Sequence, residues 1–250
     1  MAGKRERRFK SWSWSRYSDY KKCPSMAAMK YLDKIPEPGP PTPHLQRGVD
    51  VHRGAESYLK GRIKTLPAAL KSFDLELGEM RELVKEGLAQ PEMSLGFDMA
   101  WRPVATDDWD RCVLRVKIDA LVVTNESPRR SMVIDFKTGR YSTYKSKEYE
   151  GQLQLYVASA FAADEKLEEV DPRLWYVDSG TEYPERSKTY SRAQGVAIQK
   201  TFNKDVRPMF ADRVFKPTPS KDACAWCPYN AKRFPGAPCK VGKEGMKPRE

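Results

Sequence analysis

Cys112-Val-Leu-Arg-Val-Lys117-Ile-Asp119-Ala-Leu-Val-Val123 and, after a short gap, Met132-Val-Ile-Asp135-Phe-Lys137-Thr-Gly139 are the runs on which the fold turns. In the first, Cys112, Leu114, Val116, Ile118, Ala120 and Val122 alternate with Arg115, Lys117 and Asp119. That period of two puts apolar and polar side chains on opposite faces of a strand. The second run repeats the pattern, with Met132, Ile134 and Phe136 toward a core and Asp135 and Lys137 away from it. Asn125-Glu-Ser-Pro-Arg129 reads as the turn of a hairpin, and Thr138-Gly139 ends the second strand. Two neighbouring strands then each offer a carboxylate on their polar face, and Lys137 shares the side of Asp135.

Outward from this pair the period becomes helical. Ser18 is a plausible N-cap for a short helix carrying Cys23, Met26, Met29 and Tyr31, and the proline-rich stretch Ile35–Pro43 is expected as a loop. Helices are expected from about His44 to Lys60, with His52 and Glu56 one turn apart, and from about Ala68 to Leu88. A strand follows over Glu92 to Trp101. Beyond the hairpin come a helix from about Lys147 to Ala163, a strand from Arg173 to Val177 and a long helix from Ser191 to Phe210. The remainder is rich in Pro, Gly and Cys. The fold class expected is α+β, a small mixed central sheet flanked by helices, with a C-terminal cysteine-rich region. At 250 residues one domain over 1–250 is expected, with 1–10 as a basic tail, 44–163 as the core, and residue 23 with 220–240 as cysteine elements.

Hydrophobic residues at 40% argue for a packed chain rather than a disordered one. A net charge of +11, from 45 basic and 34 acidic residues, points to a polyanionic partner, most commonly nucleic acid. No apolar run is long enough to span a bilayer, and the basic N-terminus leads into no apolar signal core, so a cytoplasmic protein without membrane attachment is expected, in a host cytoplasm if phage-encoded. Aromatics interleaved with cations (Trp12, Trp14, Arg16, Tyr17; Tyr141, Tyr144, Lys145, Lys147) suit either a groove that stacks bases or simple anchoring of the N-terminal helix. Five cysteines, an odd count, argue against a disulfide framework, and the Cys224-Ala-Trp-Cys227 pair raises metal or redox chemistry.

Mg²⁺ and Mn²⁺ take carboxylate and carbonyl oxygens and bind phosphates. Asp119 and Asp135 can hold such an ion, the Phe136 carbonyl can add a ligand, and Lys137 can orient a nucleophile or neutralise a charged transition state. The plain alternative is a hairpin whose polar face is merely solvated.

Val133-Ile-Asp135-Phe-Lys137-Thr-Gly139 preceded by Lys117-Ile-Asp119-Ala resembles the core of the RecB-type branch of the PD-(D/E)xK nucleases. So do Gly48-Val-Asp-Val-His52 upstream and Gln152-Leu-Gln-Leu-Tyr156 downstream. The resemblance implies a restriction-endonuclease-like core and a metal-dependent DNA exonuclease. It makes His52, Asp119 and Asp135 metal ligands, Lys137 catalytic, and Gln152 and Tyr156 supports of the site or the DNA. Glu92 resembles an acidic position of some relatives, and Glu56 reads as a solvated helix residue. Cys23, led by Trp14-Ser-Arg-Tyr-Ser-Asp-Tyr-Lys-Lys, with Cys224, Cys227 and Cys239, is similar to the four-cysteine pattern of iron–sulfur CRISPR-associated and AddB-type exonucleases. That implies a [4Fe–4S] cluster, with Zn²⁺ as the other four-thiolate occupant. Cys112, on the apolar face of its strand, is expected in the core. The expected partner is DNA, single-stranded or with duplex ends; a catalytically silent DNA-binding or assembly module is the rival.

Overall fold

The computed structural model describes residues 7–39, 42–125, 127–139, 141, 143–179 and 188–243, with 143–148 for their backbone alone. The chain divides into two compact units, Pro41–Asn203 and a second built from Met1–Pro40 with Lys204–Glu250.

The unit Pro41–Asn203 is built on a six-stranded mixed sheet. Its strands are β1 (Ala89–Phe97), β2 (Pro103–Val104), β3 (Leu114–Val123), β4 (Arg130–Lys137), β5 (Glu169–Tyr176) and β6 (Tyr190–Ser191), in the order β2-β1-β3-β4-β5-β6. Every neighbouring pair is antiparallel except β4 and β5, which run parallel. One face packs on helix α3 (Pro43–Leu59), a 3₁₀ turn (Ala68–Phe73) and helix α4 (Asp74–Lys85): Val51, Ala55, Leu59, Leu70, Leu77 and Met80 meet Ala120, Val122, Ile134 and Phe136. Thr42 caps α3, accepting a hydrogen bond from Leu45 N at 3.3 Å, and Pro43 fits the first helical position because its missing N–H would be unsatisfied there.

The parallel β4–β5 pair needs a crossover, and helix α5 (Thr143–Ala163) supplies it. Every residue from Leu155 to Phe161 is buried, so this stretch is covered all round. On its outer side lies α6 (Arg192–Asp205), whose Gly195 approaches so closely that an added Cβ would stand 2.2 Å from the Phe161 ring. α5 also seals the face that alternation had left to solvent. Both faces of β4 are buried, Val133 and Asp135 as well as Ile134 and Phe136. Among the described residues no helix is long and apolar enough to cross a membrane.

The other unit contains α1 (Trp14–Lys22), α2 (Pro24–Tyr31), α7 (Arg207–Ala211) and α8 (Lys221–Ala225). The single N-terminal helix expected from Ser18 is in fact two. Ser13 caps α1, and the chain extends at Cys23 because Pro24 disfavours helix before it and opens α2. The long helix expected from Ser191 to Phe210 likewise breaks ahead of Pro208 into α6 and α7. Residues 7–10 are no tail: Phe9 is buried with its ring edge-on to Tyr20, Tyr31 and Phe215, and Arg7 pairs with Asp33 at 2.7 Å. Residues 1–6 lie outside the described residues. Trp12 and Tyr17 are buried and pack ring against ring, so they anchor α1 and are closed to bases. Tyr141 packs on Tyr176, while the side chains of Tyr144, Lys145 and Lys147 lie outside the described residues.

Candidate active site

Asp119 and Asp135 lie where the sheet opens. The ladder between β3 and β4 pairs Val123 with Ser131 through Ala120 with Ile134, and Asp119 and Asp135 are the next residues along each strand. There Asp119 reaches across in place of the backbone: its Oδ2 accepts from Phe136 N at 2.8 Å, and its Oδ1 lies 3.1 Å from His52 Nδ1 on α3. A buried carboxylate keeps its charge only against donors of this kind. Burial disfavours a charged His52, but the hydrogen bond and charge of Asp119 outweigh it and leave the imidazole pKa raised.

Asp135 is 2% exposed. Burial pushes its carboxyl up to about 6, against the pull of Lys137. Its Oδ1 accepts from the Tyr156 hydroxyl at 3.2 Å, and Lys137 Nζ stands 2.6 Å from its Oδ2. Lys137 also donates to Gln152 Oε1 at 3.0 Å, and Gln152 Nε2 bonds the Tyr156 hydroxyl at 2.7 Å. Gln152 and Tyr156, four residues apart on α5, thus face the hairpin together, and the plain alternative of a solvated hairpin face does not hold. Sequence reasoning did not find Tyr149, whose ring lies 4.4 Å from Lys137 Nζ. Nor did it find Asp178, which accepts from Arg47 Nη1 at 2.8 Å and from Gly139 N at 2.7 Å and so ties α3 to the turn after Lys137. Gly139 sits there at φ 103°, a backbone suited to glycine.

An open cleft reaches this centre past His52, Glu56, Glu92, Lys117, Asp119 and Thr138. Ligand atoms of His52, Glu92 and Asp119 lie within 4.8 Å of one another, a spacing that one metal ion can bridge. Glu56, expected on a solvated face, pairs with Lys60 at 2.8 Å and Arg62 at 3.5 Å.

In the other unit Cys23, Cys224, Cys227 and Cys239 line one largely apolar cavity. Cys239 reaches it across the long gap after Cys227 because the chain doubles back: Asn230 bridges Cys239, whose N–H donates to Tyr229 O at 2.9 Å. Buried Asn230 braces this turn, donating to Cys224 O at 3.1 Å and Lys243 O at 3.0 Å. Burial pushes the Cys227 thiol up to about 11, and the other three cysteines add to the rise. Cys112 is buried among the strands of the sheet, as expected.

A mixed sheet that opens at two acids, with a lysine two residues after the second and helices on both faces, defines a restriction-endonuclease-like core. The family model of the PD-(D/E)XK nuclease superfamily matches residues 11–231, and the chain belongs to that superfamily. It is therefore of nuclease lineage, with a nucleic-acid substrate. No curated protein matches. Among solved structures the chain is similar to the crystal structure of SSO0001, at 16% identity over 92% of this chain and 88% of that one, TM-score 0.36. It is also similar to a "Putative exonuclease" from Eubacterium rectale, at 12% identity over 79% and 80%, TM-score 0.45.

Proposed function

We propose that the chain is a Mg²⁺- or Mn²⁺-dependent deoxyribonuclease that degrades DNA from ends, single-stranded or duplex. The observation that carries this reading is the set of His52 with Asp119 and of Asp135 with Lys137, Gln152 and Tyr156, the two groups meeting where the Phe136 N–H donates to Asp119, all through hydrogen bonds and ion pairs of 2.6 to 3.2 Å. A hard cation fits the donors: Asp135 Oδ2 is buried and, although close to Lys137, makes no properly directed hydrogen bond. Held by Asp119, Asp135, His52 and the Phe136 carbonyl, the ion would supply Lewis acidity toward the scissile phosphate and acidify water beside it. Lys137 sets positive charge and a transferable proton at Nζ, aimed by Gln152 Oε1 and the Tyr149 ring. The Tyr156 hydroxyl and the Phe136 N–H hold the two carboxylates in register for the ion.

Release of acid-soluble nucleotides from DNA with Mn²⁺ tests the reading. Asp119→Ala and Asp135→Ala should abolish cleavage while DNA is still retained, and Lys137→Ala should lose about 10²–10³-fold. Full activity of the lysine variant would overturn the assignment. Equal cutting of a sealed duplex circle and a linear single strand would overturn the requirement for an end.

For the cysteine centre we infer a [4Fe–4S] cluster. Cys23, Cys224, Cys227 and Cys239 line one largely apolar cavity, and four thiolates there can hold either a cluster or a zinc ion. The resemblance of the four-cysteine pattern favours the cluster. Protein purified without air should be brown; a colourless protein holding one zinc and no labile sulfide would reverse the choice.

A further inference from the structure

Glu92 stands directly across from Asp119. The β1–β3 register pairs Pro91 with Ala120 and Met93 with Ile118, and Glu92 falls between them with no pair of its own. At this point, in mid-strand, its backbone turns to φ 54°, a left-handed conformation that a residue with a Cβ adopts only at a cost. The side chain is 8% exposed. Its Oε2 is buried and makes no properly directed hydrogen bond, although Lys117 Nζ lies against it. Lys117 is two residues before Asp119 and is 64% exposed, so it neutralises Glu92 from the solvent side and is free to leave. A strand that breaks its own geometry to bury a carboxylate beside a histidine and an aspartate is shaped for something other than an ion pair.

We propose that Glu92 is a direct ligand of the divalent cation. With His52 and Asp119 it forms a set of three side-chain ligands around one position. The inference rests on the reading that a cation binds at Asp119. Mg²⁺ and Mn²⁺ both take carboxylate oxygens, so a further carboxylate ligand strengthens the binding of either. Lys117 then acts as a competitor. It must release Glu92 as the cation arrives, so removing it frees the site rather than damaging it.

Isothermal titration of MnCl₂ and of MgCl₂ into the EDTA-stripped full chain tests this. Glu92→Gln should weaken Mn²⁺ binding at least about tenfold and Mg²⁺ binding with it, while Lys117→Ala should bind Mn²⁺ as tightly as the parent or more tightly. A purely structural Glu92–Lys117 pair would instead make the two variants behave alike. Glu92→Gly supplies a second readout. Glycine adopts this φ freely, so its thermal midpoint in EDTA should rise while the further rise on adding MnCl₂ shrinks. Parent-like Mn²⁺ binding by both Glu92 variants, or equal weakening by Lys117→Ala, overturns the proposal. Asp119→Asn separates the two levels: if it too binds Mn²⁺ like the parent, the cation reading of this centre fails, whereas loss of binding in Asp119→Asn alone excludes only Glu92.

Discussion

Asp135 is held where an isolated carboxylate would prefer to be neutral. Its folded pKa of about 6 lies above the ordinary aspartate value of 3.8, so between those values the folded chain binds the proton more tightly than the unfolded one. Stability therefore falls as pH rises from about 4 to about 6. In EDTA, thermal midpoints measured across that window should decline with pH for the parent and stay flatter for Asp135→Asn. At pH 7.5 the Asn variant should be the more stable, and a midpoint at or below the parent's there would contradict the burial argument. Tyr156→Phe acts in the opposite sense. It removes the hydroxyl from Asp135 Oδ1 and from Gln152 Nε2, leaving buried polar atoms without a partner at a cost of about 1–3 kcal/mol, and chemical denaturation should register it. Asp119, Asp135 and Lys137 were legible in the sequence because strand alternation is local. Glu92 was legible only by its resemblance to an acidic position of some relatives, since its placement depends on a left-handed turn of backbone that no neighbouring glycine or asparagine announces.

At the scale of elements, α5 decides what the hairpin is. Alternation in β3 and β4 identified the strands and a polar face pointing away from the core, but not what covers that face, because the covering helix comes later in the chain. The i, i+4 spacing of Gln152 and Tyr156 was the available signal, and it has meaning only once the helix lies against the sheet. The helix breaks at Cys23 and ahead of Pro208 follow from proline rules that act within a residue or two, and the sequence carried both. The cover over α5 rests on two devices. Gly195 lets α6 approach the Phe161 ring, and Arg192 donates to Phe161 O, Asp164 O and Leu167 O at 2.6 to 3.1 Å just past the end of α5. Gly195→Ala would press a methyl group into a buried ring and should destabilise by about 1–3 kcal/mol, read from urea midpoints. An unchanged midpoint would mean that α6 can shift at no cost.

For the whole molecule, the four cysteines belong to a unit assembled from both ends of the chain, with Tyr17 on Asp205 and Tyr229 on Ile35 O among its ties. Cross-linking Cys23 to residues some 200 positions away would remove about 4 kcal/mol or more of unfolded-chain entropy if the centre behaves as a covalent staple. Cys23→Ser should then lose colour and thermal stability together, whereas Cys112→Ser, at a buried position just before β3, should keep its colour. Persistent colour in Cys23→Ser would remove that residue from the centre.

The same split arrangement sets an order in time. On the ribosome, residues 41–203 are complete before Lys204 is added, and at about 5–20 residues per second the N-terminal forty wait roughly 10–40 s for the strands of chain they must pack with. Cys23 spends that interval as a thiol whose fellow cysteines at 224, 227 and 239 have yet to be made, while residues 41–203 have had time to fold. If the four cysteines hold a metal group, its loading can only follow synthesis of Cys239, and a nascent chain stalled before Lys204 would carry the acids and lysine of the hairpin without the second half of the cysteine-bearing unit.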